Sequence, residues 1–328
     1  MNPPWDAHVT TALTGVGPGP TAHHKRLALR AALAATAPSP ENPAVAPMIL
    51  PGATDALGAR LIEQAGFAAA YATGAGLANA VYGLPDIGLL SQTEVAEHAA
   101  RLVDALTIPL ITDADTGYGG PLATMRTVRL LERAGVAGLQ LEDQEMPKRC
   151  GHFDSHTLIP AAHMQTKIAA ACDAREDDDL VIIARTDARS AYGIEEAISR
   201  GRAYVEAGAD VLFIEAPRTV DELRLVGAEL AGTPLIVNVV EGGKTPELTL
   251  AEYADLGFGV ILFANYLMRS MHAAGRDALA HLREHGETGS RAGAMASWSE
   301  RQGLFHLPEF STAEALLDRG YDELQGLR

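Results

Sequence analysis

From Met48 onward the chain repeats one unit eight times: a short run of β-branched and apolar residues, then a stretch rich in Ala, Leu and Glu with apolar residues at helical spacing. The runs are 48–53, 68–74, 109–115, 137–143, 180–188, 210–216, 234–240 and 259–265. Helical stretches at 54–65, 93–106, 123–134, 194–207, 220–230 and 250–256 separate them, with glycines near their ends in AGF, AGVAG, AGAD and LGF. Runs that are apolar throughout belong in a sheet covered on both faces, and alternation with helices makes that sheet parallel. Eight repeats predict closure, so the expected fold class is α/β, a (β/α)8 TIM barrel with parallel strands. A doubly wound open sheet is the competing arrangement, but no Gly-rich dinucleotide turn follows the first strand. One barrel occupies roughly 250 residues. The expected organisation is therefore an N-terminal extension with one helix (1–46), a catalytic barrel (47–285) and a C-terminal helical arm (286–328).

Composition bears on partners. Basic residues number 26 and acidic ones 42, a net charge of −16, which repels polyanions and argues against nucleic acid and acidic membrane surfaces. An anionic substrate must then meet a local positive site. No apolar run approaches the roughly 20 residues that span a bilayer. With only Cys150 and Cys172, and no leader resembling a signal peptide, the expected location is cytoplasmic, without a disulfide framework. Cys172, in an Ala-rich helical stretch, reads as a packing residue.

Nearly every apolar run ends in chemically competent side chains: Tyr71 and Thr73, Asp113 and Asp115, Glu142 and Asp143, Arg185 and Asp187, Glu215, Asn238. In a barrel the strand C-terminal ends converge on one mouth, so these residues are expected in one cleft. Strand-end Asp and Asn can also merely cap the following helices, but Arg185, Glu215 and two closely spaced aspartates are poor caps. Asp113 and Asp115 lie two apart on a strand, hence on one face, and Glu142 ends the next strand. Three inward carboxylates repel unless a cation sits among them. A hard divalent ion with oxygen ligands, Mg²⁺ or alternatively Mn²⁺, is expected at Asp113, Asp115 and Glu142, and the lack of a His/Cys cluster there disfavours zinc. A salt-bridged cluster with Arg185 is the alternative. In Lys148-Arg149-Cys150-Gly151-His152, two cations and an imidazole favour the thiolate, making Cys150 a candidate proton donor or nucleophile. The alternative there is a basic surface loop with an incidental cysteine.

The stretches YATGAG, GLPDIG, ITDADTGYG, QLEDQEMPKRCGH, IIARTDAR, FIEAP and NVVEGGKTP follow one another between about residues 47 and 285. In this combination and order the chain resembles the isocitrate lyase/phosphoenolpyruvate mutase superfamily. The resemblance implies a barrel whose last helix is exchanged between subunits of a homo-oligomer, usually a dimer of dimers. It implies Mg²⁺ at Asp115, with Asp113 and Glu142 acting largely through metal-bound water. It also implies an α-keto or α-hydroxy acid head bound by the metal, by backbone N–H groups around Thr73, Gly74 and Ala75, and by Arg185. The loop from Lys148 to His152 resembles the mobile gate of the carbon–carbon lyase branch, in which Cys150 would protonate the departing carbanion. Tyr71 falls where family lyases carry a tyrosine proposed as the base. Asp86 and Glu215 would orient the metal-bound ligand or its waters, and His152, Asn238 and Arg149 are candidates for a second carboxylate.

The substrate implied is a small-molecule 2-hydroxy dicarboxylate of the 2-alkylmalate type, split in retro-aldol fashion to an α-keto acid such as pyruvate plus a carboxylate. Val240 stands where methylisocitrate lyases usually carry a threonine, which disfavours a tricarboxylate. The Glu-Gly-Gly-Lys-Thr-Pro version of the seventh stretch resembles the dimethylmalate lyase, oxaloacetate hydrolase and carboxyphosphonoenolpyruvate phosphonomutase branches. Phosphonate chemistry, methylisocitrate cleavage and oxaloacetate hydrolysis therefore stand as alternatives, with a catalytically silent barrel as a further one. Asn265 and Tyr266 replace the Pro-Leu of a common Tyr-Pro-Leu and are expected near the substrate tail.

Overall fold

Each of the eight apolar runs contains a strand: β1 Met48–Ala53, β2 Ala70–Ala72, β3 Leu110–Asp113, β4 Gly138–Glu142, β5 Val181–Thr186, β6 Val211–Ile214, β7 Leu235–Asn238 and β8 Val260–Phe263. They pair in sequence order, all parallel, and β8 returns to β1 to close the barrel. The computed structural model describes residues 20–36, 46–148 and 157–326. Helices α1 (Ala22–Ala35), α2 (Ala56–Gln64), α3 (Gln92–Ala105), α4 (Pro121–Arg133), α5 (Ala161–Ala174), α6 (Ile194–Glu206), α7 (Val220–Glu229) and α8 (Leu250–Asp255) belong, with the strands, to one unit running from Ala22 to Ser270. The (β/α)8 expectation is met.

Period two along the strands sorts their side chains into two cores. Leu110, Leu139, Leu141, Ile182, Leu212, Ile214, Val237 and Ile261 point outward and meet the helices. Leu50, Tyr71, Ile111, Val181, Ile183, Val211, Phe213, Ile236 and Leu262 point inward and fill the barrel. The seam between β1 and β8 is so close that a Cβ on Gly52 would lie 1.9 Å from the Ala264 carbonyl oxygen. Glycine is required there by contact with backbone, which cannot rotate away.

The floor of the barrel is closed by α1. Leu29 and Leu33 join the inward core beside Met48, Ala69, Ala137 and Val181. The same helix supplies C-terminal caps to its neighbours. Lys25 Nζ donates to the carbonyls of Val103 (3.0 Å) and Leu106 (2.6 Å) at the end of α3. Arg26 donates to those of Glu132 (2.9 Å), in the last turn of α4, and Val136 (3.1 Å), just beyond it. Carbonyls at helix ends lack intrahelical partners and carry the negative end of the macrodipole, so cations stabilise them. His23, Asp177 and Asp179 are close enough at this end to suggest a metal group. Arg26 (2.8 Å from Asp177) and Arg30 (3.3 Å from Asp179) already neutralise these carboxylates.

One local feature differs from the sequence reading. The run 68–74 yields a strand of only three residues, because the Thr73 hydroxyl accepts from Gly76 N–H (3.3 Å) and starts a short helix, Gly74–Gly76, that continues as a π-turn, Leu77–Val81. Cys172 lies on α5 as expected of a packing residue, its Sγ 3.3 Å from the Gly208 carbonyl and its thiol pushed up by burial.

Residues 271–326 belong to a second unit, containing the remainder of α9 (Tyr266–His285), a 3-10 turn at Gly289–Ala294, α10 (Trp298–Leu304) and α11 (Leu307–Gly326). A capping box of Ser297 and Glu300 starts α10, and the Arg301 guanidinium lies 4.1 Å over the Trp298 ring. Among the described residues, no helix is long and apolar enough to cross a membrane.

Candidate active site

The inward rows that fill the barrel end, at the C-terminal mouth, in polar side chains. On β5 the row runs Val181, Ile183, Arg185; beyond β6 it runs Val211, Phe213, Glu215; on β4 it is Gly138, Gln140, Glu142. Arg185 is the centre of one half of the mouth. Asp187 grips its guanidinium with both carboxylate oxygens, at 3.0 Å from Nε and 2.8 Å from Nη2. Glu142, its register partner, lies 3.5 Å away and Glu215 3.4 Å, and the guanidinium sits 5.1 Å above the Phe213 ring. Burial works against the charge, but Asp187, Glu215 and Glu142 outweigh it and hold Arg185 firmly protonated.

The other half is acidic. Asp113 Oδ1 accepts from the backbone N–H of Asp115 (3.1 Å) and lies 3.5 Å from Gln140 Nε2, while Gln140 Oε1 accepts from the Tyr71 hydroxyl at 2.9 Å. Lys148 Nζ reaches Asp86 Oδ1 (2.6 Å) and Asp115 Oδ1 (2.9 Å). Burial and the Asp115 charge push Asp113 up to about 6, and burial also pushes Glu142 well above the carboxylate range. The Tyr71 phenol is raised by burial and then by Asp113.

One correction concerns Asp115. Strand β3 stops at Asp113, and Asp115 lies beyond it in the left-handed region (φ 48°), so the two carboxylates do not share a strand face. They meet because the chain turns back, bringing the Asp115 amide onto the Asp113 carboxylate. A second correction concerns Tyr266, which is 59% exposed at the start of α9 and does not line the cavity, whereas Asn265 does.

The mouth forms an open cleft with about 470 Å³ of empty space, part of it continuous with solvent, and Thr73, Ala75, Asp86 and Asn238 line it together with Tyr71, Asp113, Glu142, Lys148, Arg185 and Glu215. An adjoining cavity of about 280 Å³ is walled by Gly74 and Asp115 and shares Asp86, Asp113 and Lys148. Arg149, Cys150 and His152 lie outside the described residues. The stem of their segment is described: Glu145 N–H donates to the Thr157 carbonyl (2.8 Å) and Ile159 N–H to that of Asp143 (2.9 Å). The sequence reading passed over Gln140. The signal was available, since Gln140 lies two before Glu142 and therefore in the same inward row.

Gly74 lets the short helix approach the acidic group. A Cβ there would sit 2.8 Å from Asp113 Oδ2 and 3.5 Å from Asp115 Oδ1. Gly74→Ala is expected to displace the Asp113 carboxylate and lower kcat/KM by about 10²-fold, the scale of a misplacement near 1 Å. The urea midpoint should hardly move, because the contact is with a side chain at the cavity edge. A variant with unchanged kcat/KM would contradict this.

The donor set fits a hard divalent cation. All its donors are carboxylate oxygens, and Glu142 Oε1 is buried without a hydrogen bond from any of the described residues. Asp115 Oδ1 is buried with no donor aligned on it, the Lys148 ammonium being near enough for charge but not directed for a hydrogen bond. Among the described residues, the acidic side chains at the mouth outnumber the cations paired with them, Lys148 and Arg185.

An eight-stranded parallel barrel with ionisable groups gathered at the strand C-terminal ends defines a TIM-barrel enzyme. A family model described as phosphoenolpyruvate phosphomutase matches residues 42–283. Relatives include the 2,3-dimethylmalate lyase of Eubacterium barkeri, 42% identical over 81% of this chain and 92% of its own. The 2-methylisocitrate lyase of Bacillus subtilis is 40% identical over 81% and 86%. The carboxyvinyl-carboxyphosphonate phosphorylmutase of Arabidopsis thaliana is 41% identical over 82% and 80%. A crystal structure of 2,3-dimethylmalate lyase superposes with a TM-score of 0.81 at 37% identity, covering 90% of this chain and 95% of that one. Phosphonopyruvate hydrolase, solved with oxalate and Mg²⁺, superposes at 0.78 with 34% identity, covering 89% and 98%. The chain belongs to the isocitrate lyase/phosphoenolpyruvate mutase superfamily and is an enzyme of its carbon–carbon lyase type.

Proposed function

We propose that this enzyme cleaves a 2-hydroxy dicarboxylate of the 2-alkylmalate type into an α-keto acid, such as pyruvate, and a carboxylate. The observation that carries the reading is the meeting, at one barrel mouth, of the carboxylates of Asp113, Asp115 and Glu142 with the guanidinium of Arg185. A cation and an anion-binding group then flank the same small space. Mg²⁺ would be held by Asp113, Asp115 and Glu142, with Mn²⁺ as a substitute. When bound it withdraws charge from the hydroxyl and carboxylate of a 2-hydroxy acid, favouring loss of the hydroxyl proton.

The chain's own groups do the rest. Arg185 and the amides around Thr73, Gly74 and Ala75 bind the anionic head, while Asp86 and Glu215 orient it. Tyr71, once its own proton has left to solvent, takes the hydroxyl proton as the phenolate. Burial and then Asp113 oppose that ionisation, so neutralising the carboxylates beside it removes one of the two and favours the base form. The C2–C3 bond then breaks and its electron pair passes to the departing carboxylate fragment as an enolate-like dianion. Cys150 protonates that dianion at carbon, and Arg149, His152 and Asn238 take the second carboxylate. Lys148 ties the start of the Cys150 segment to Asp86 and Asp115. The helices after Met271 expose Leu279, Trp298, Leu307 and Phe310, and in this reading they pack on a neighbouring subunit of a homo-oligomer.

The test is α-keto acid release from 2,3-dimethylmalate with Mg²⁺, before and after a chelator. Release that stops on chelation and returns with Mg²⁺ is expected; none from any 2-alkylmalate would sink the reading. The similarity to the phosphorylmutase at 41% identity favours phosphonate chemistry as the second reading. It predicts a new phosphorus resonance from carboxyphosphonoenolpyruvate and no keto acid from malates.

A further inference from the structure

Glu142 and Asp143 leave β4 on opposite sides. Glu142 faces the cavity, and Asp143 turns away from it and is fully buried between β5 and α6. Four donors converge on its carboxylate: the hydroxyls of Thr186 and Tyr204, each at 2.7 Å, the backbone N–H of Asp187 at 3.0 Å and Arg200 Nη1 at 3.0 Å. Three of them meet Oδ2 and the Asp187 N–H meets Oδ1, so both oxygens are held.

The consequence lies at Asp187. This residue occupies the N-cap position of the short helix Ala188–Tyr192, where an aspartate ordinarily turns its side chain onto the first backbone N–H groups. Here it makes no such cap. The cap is supplied from elsewhere: the Thr186 hydroxyl accepts from Ala188 N–H at 3.2 Å while donating to Asp143, and Asp143 takes the N–H of Asp187 itself. Relieved of capping, the Asp187 carboxylate is free to grip Arg185 with both oxygens. Arg200, held by Asp143, also donates to the Ile159 carbonyl (3.0 Å), and Ile159 N–H donates to the Asp143 carbonyl. The two ends of the segment that carries Cys150 are therefore joined at one residue, directly through the Asp143 carbonyl and by way of Arg200 through its carboxylate.

We infer that Asp143 is a positioning residue, which sets the aim of Arg185 through Asp187 and pins the returning chain at Ile159 through Arg200. Its cost supports a role beyond packing. A buried charged cluster is often no more stabilising than an apolar one of the same volume, and here it frees one carboxylate to hold another group's guanidinium.

The inference rests on the proposed anion-binding role of Arg185, so one readout is independent of any ligand. In the ¹⁵N spectrum, the Nε–H of Arg185, identified by its loss in Arg185→Lys, is expected at a slowly exchanging, hydrogen-bonded position. Asp143→Asn should return it to that of a free arginine. The affinity for oxalate with Mg²⁺ should fall by about tenfold to a hundredfold, the range for removing the outer partner of a binding group. In an Asp187→Asn background the same substitution should change oxalate affinity less than about twofold, since coupled neighbours are not additive. If Asp143 served folding alone, the unfolding midpoint would fall while the Nε–H signal and the affinity stayed put, or affinity would fall equally in both backgrounds; either result overturns the inference. Thr186→Val, which removes one donor and the helix cap, carries the same comparison if Asp143→Asn does not fold. An unsubstituted protein that ignores oxalate would count against the proposed function, and the Nε–H signal would still decide this inference.

Discussion

Arg185→Met is expected to cost about 3–5 kcal/mol of folding stability, the usual result of removing one partner from a buried ionic group. It leaves Asp187 wholly buried, with Glu142 and Glu215 beside it, and no guanidinium to share. Where the protein still folds, the loss of the anion-binding cation should lower kcat/KM by about 10²–10³-fold, from the 2–5 kcal/mol lost when a hydrogen-bonded charge pair is truncated. Arg185→Lys separates the two effects. It restores the charge but not the planar fork that meets both oxygens of Asp187, so stability should largely return while turnover stays low. Urea unfolding and steady-state kinetics on the three proteins check this. A methionine variant with the native midpoint and an unaltered KM would remove Arg185 from the mechanism.

Acidification from pH 7 to pH 4 is expected to remove about 3 kcal/mol of stability at His98 alone. The residue is on the inner face of α3 with Val95, Ala99 and Leu102, 6% exposed, and its Nε2 has no hydrogen-bond partner among the described residues. Burial, followed by the Arg101 charge, lowers it to about 4, against a smaller opposing effect of Asp55. The unfolded chain binds the proton near pH 6.5 and the folded one only near 4. The contribution is therefore fully present above about pH 6.5 and is lost as pH falls through about 4; a shift of that size corresponds to about 3 kcal/mol. Subtracting the urea stability curve of His98→Gln from that of the parent cancels the carboxylates common to both. The difference should slope only between pH 6.5 and 4, and a flat difference would show that His98 is protonated as easily inside the fold as outside.

Much of the site was legible because a strand's period of two is visible in sequence. Once Val181 and Ile183 are known to fill the barrel, Arg185 must also point inward, and the same arithmetic carries Phe213 to Glu215, Ile236 to Asn238 and Ile111 to Asp113. The same rule would have added Gln140. It failed at Asp115, where the chain leaves the strand, because period two holds only while backbone torsions stay extended. It could not show that Asp187 declines its capping role. That depends on Asp143, Thr186 and Tyr204, which are brought together across two strands and a helix.

The order of apolar runs and helical stretches, together with the inward phase of each run, was sufficient to determine an eight-stranded parallel barrel with an acid-rich, arginine-bearing mouth. These are local and periodic properties, and the physics that reads them, burial of one face, acts over a few residues. Three features were decided only in three dimensions: the floor plug made by α1, the placing of Lys148 between Asp86 and Asp115, and the buried Asp143 cluster. Each is a contact between segments distant along the chain, and its energy depends on distances and desolvation that exist only once the barrel has closed.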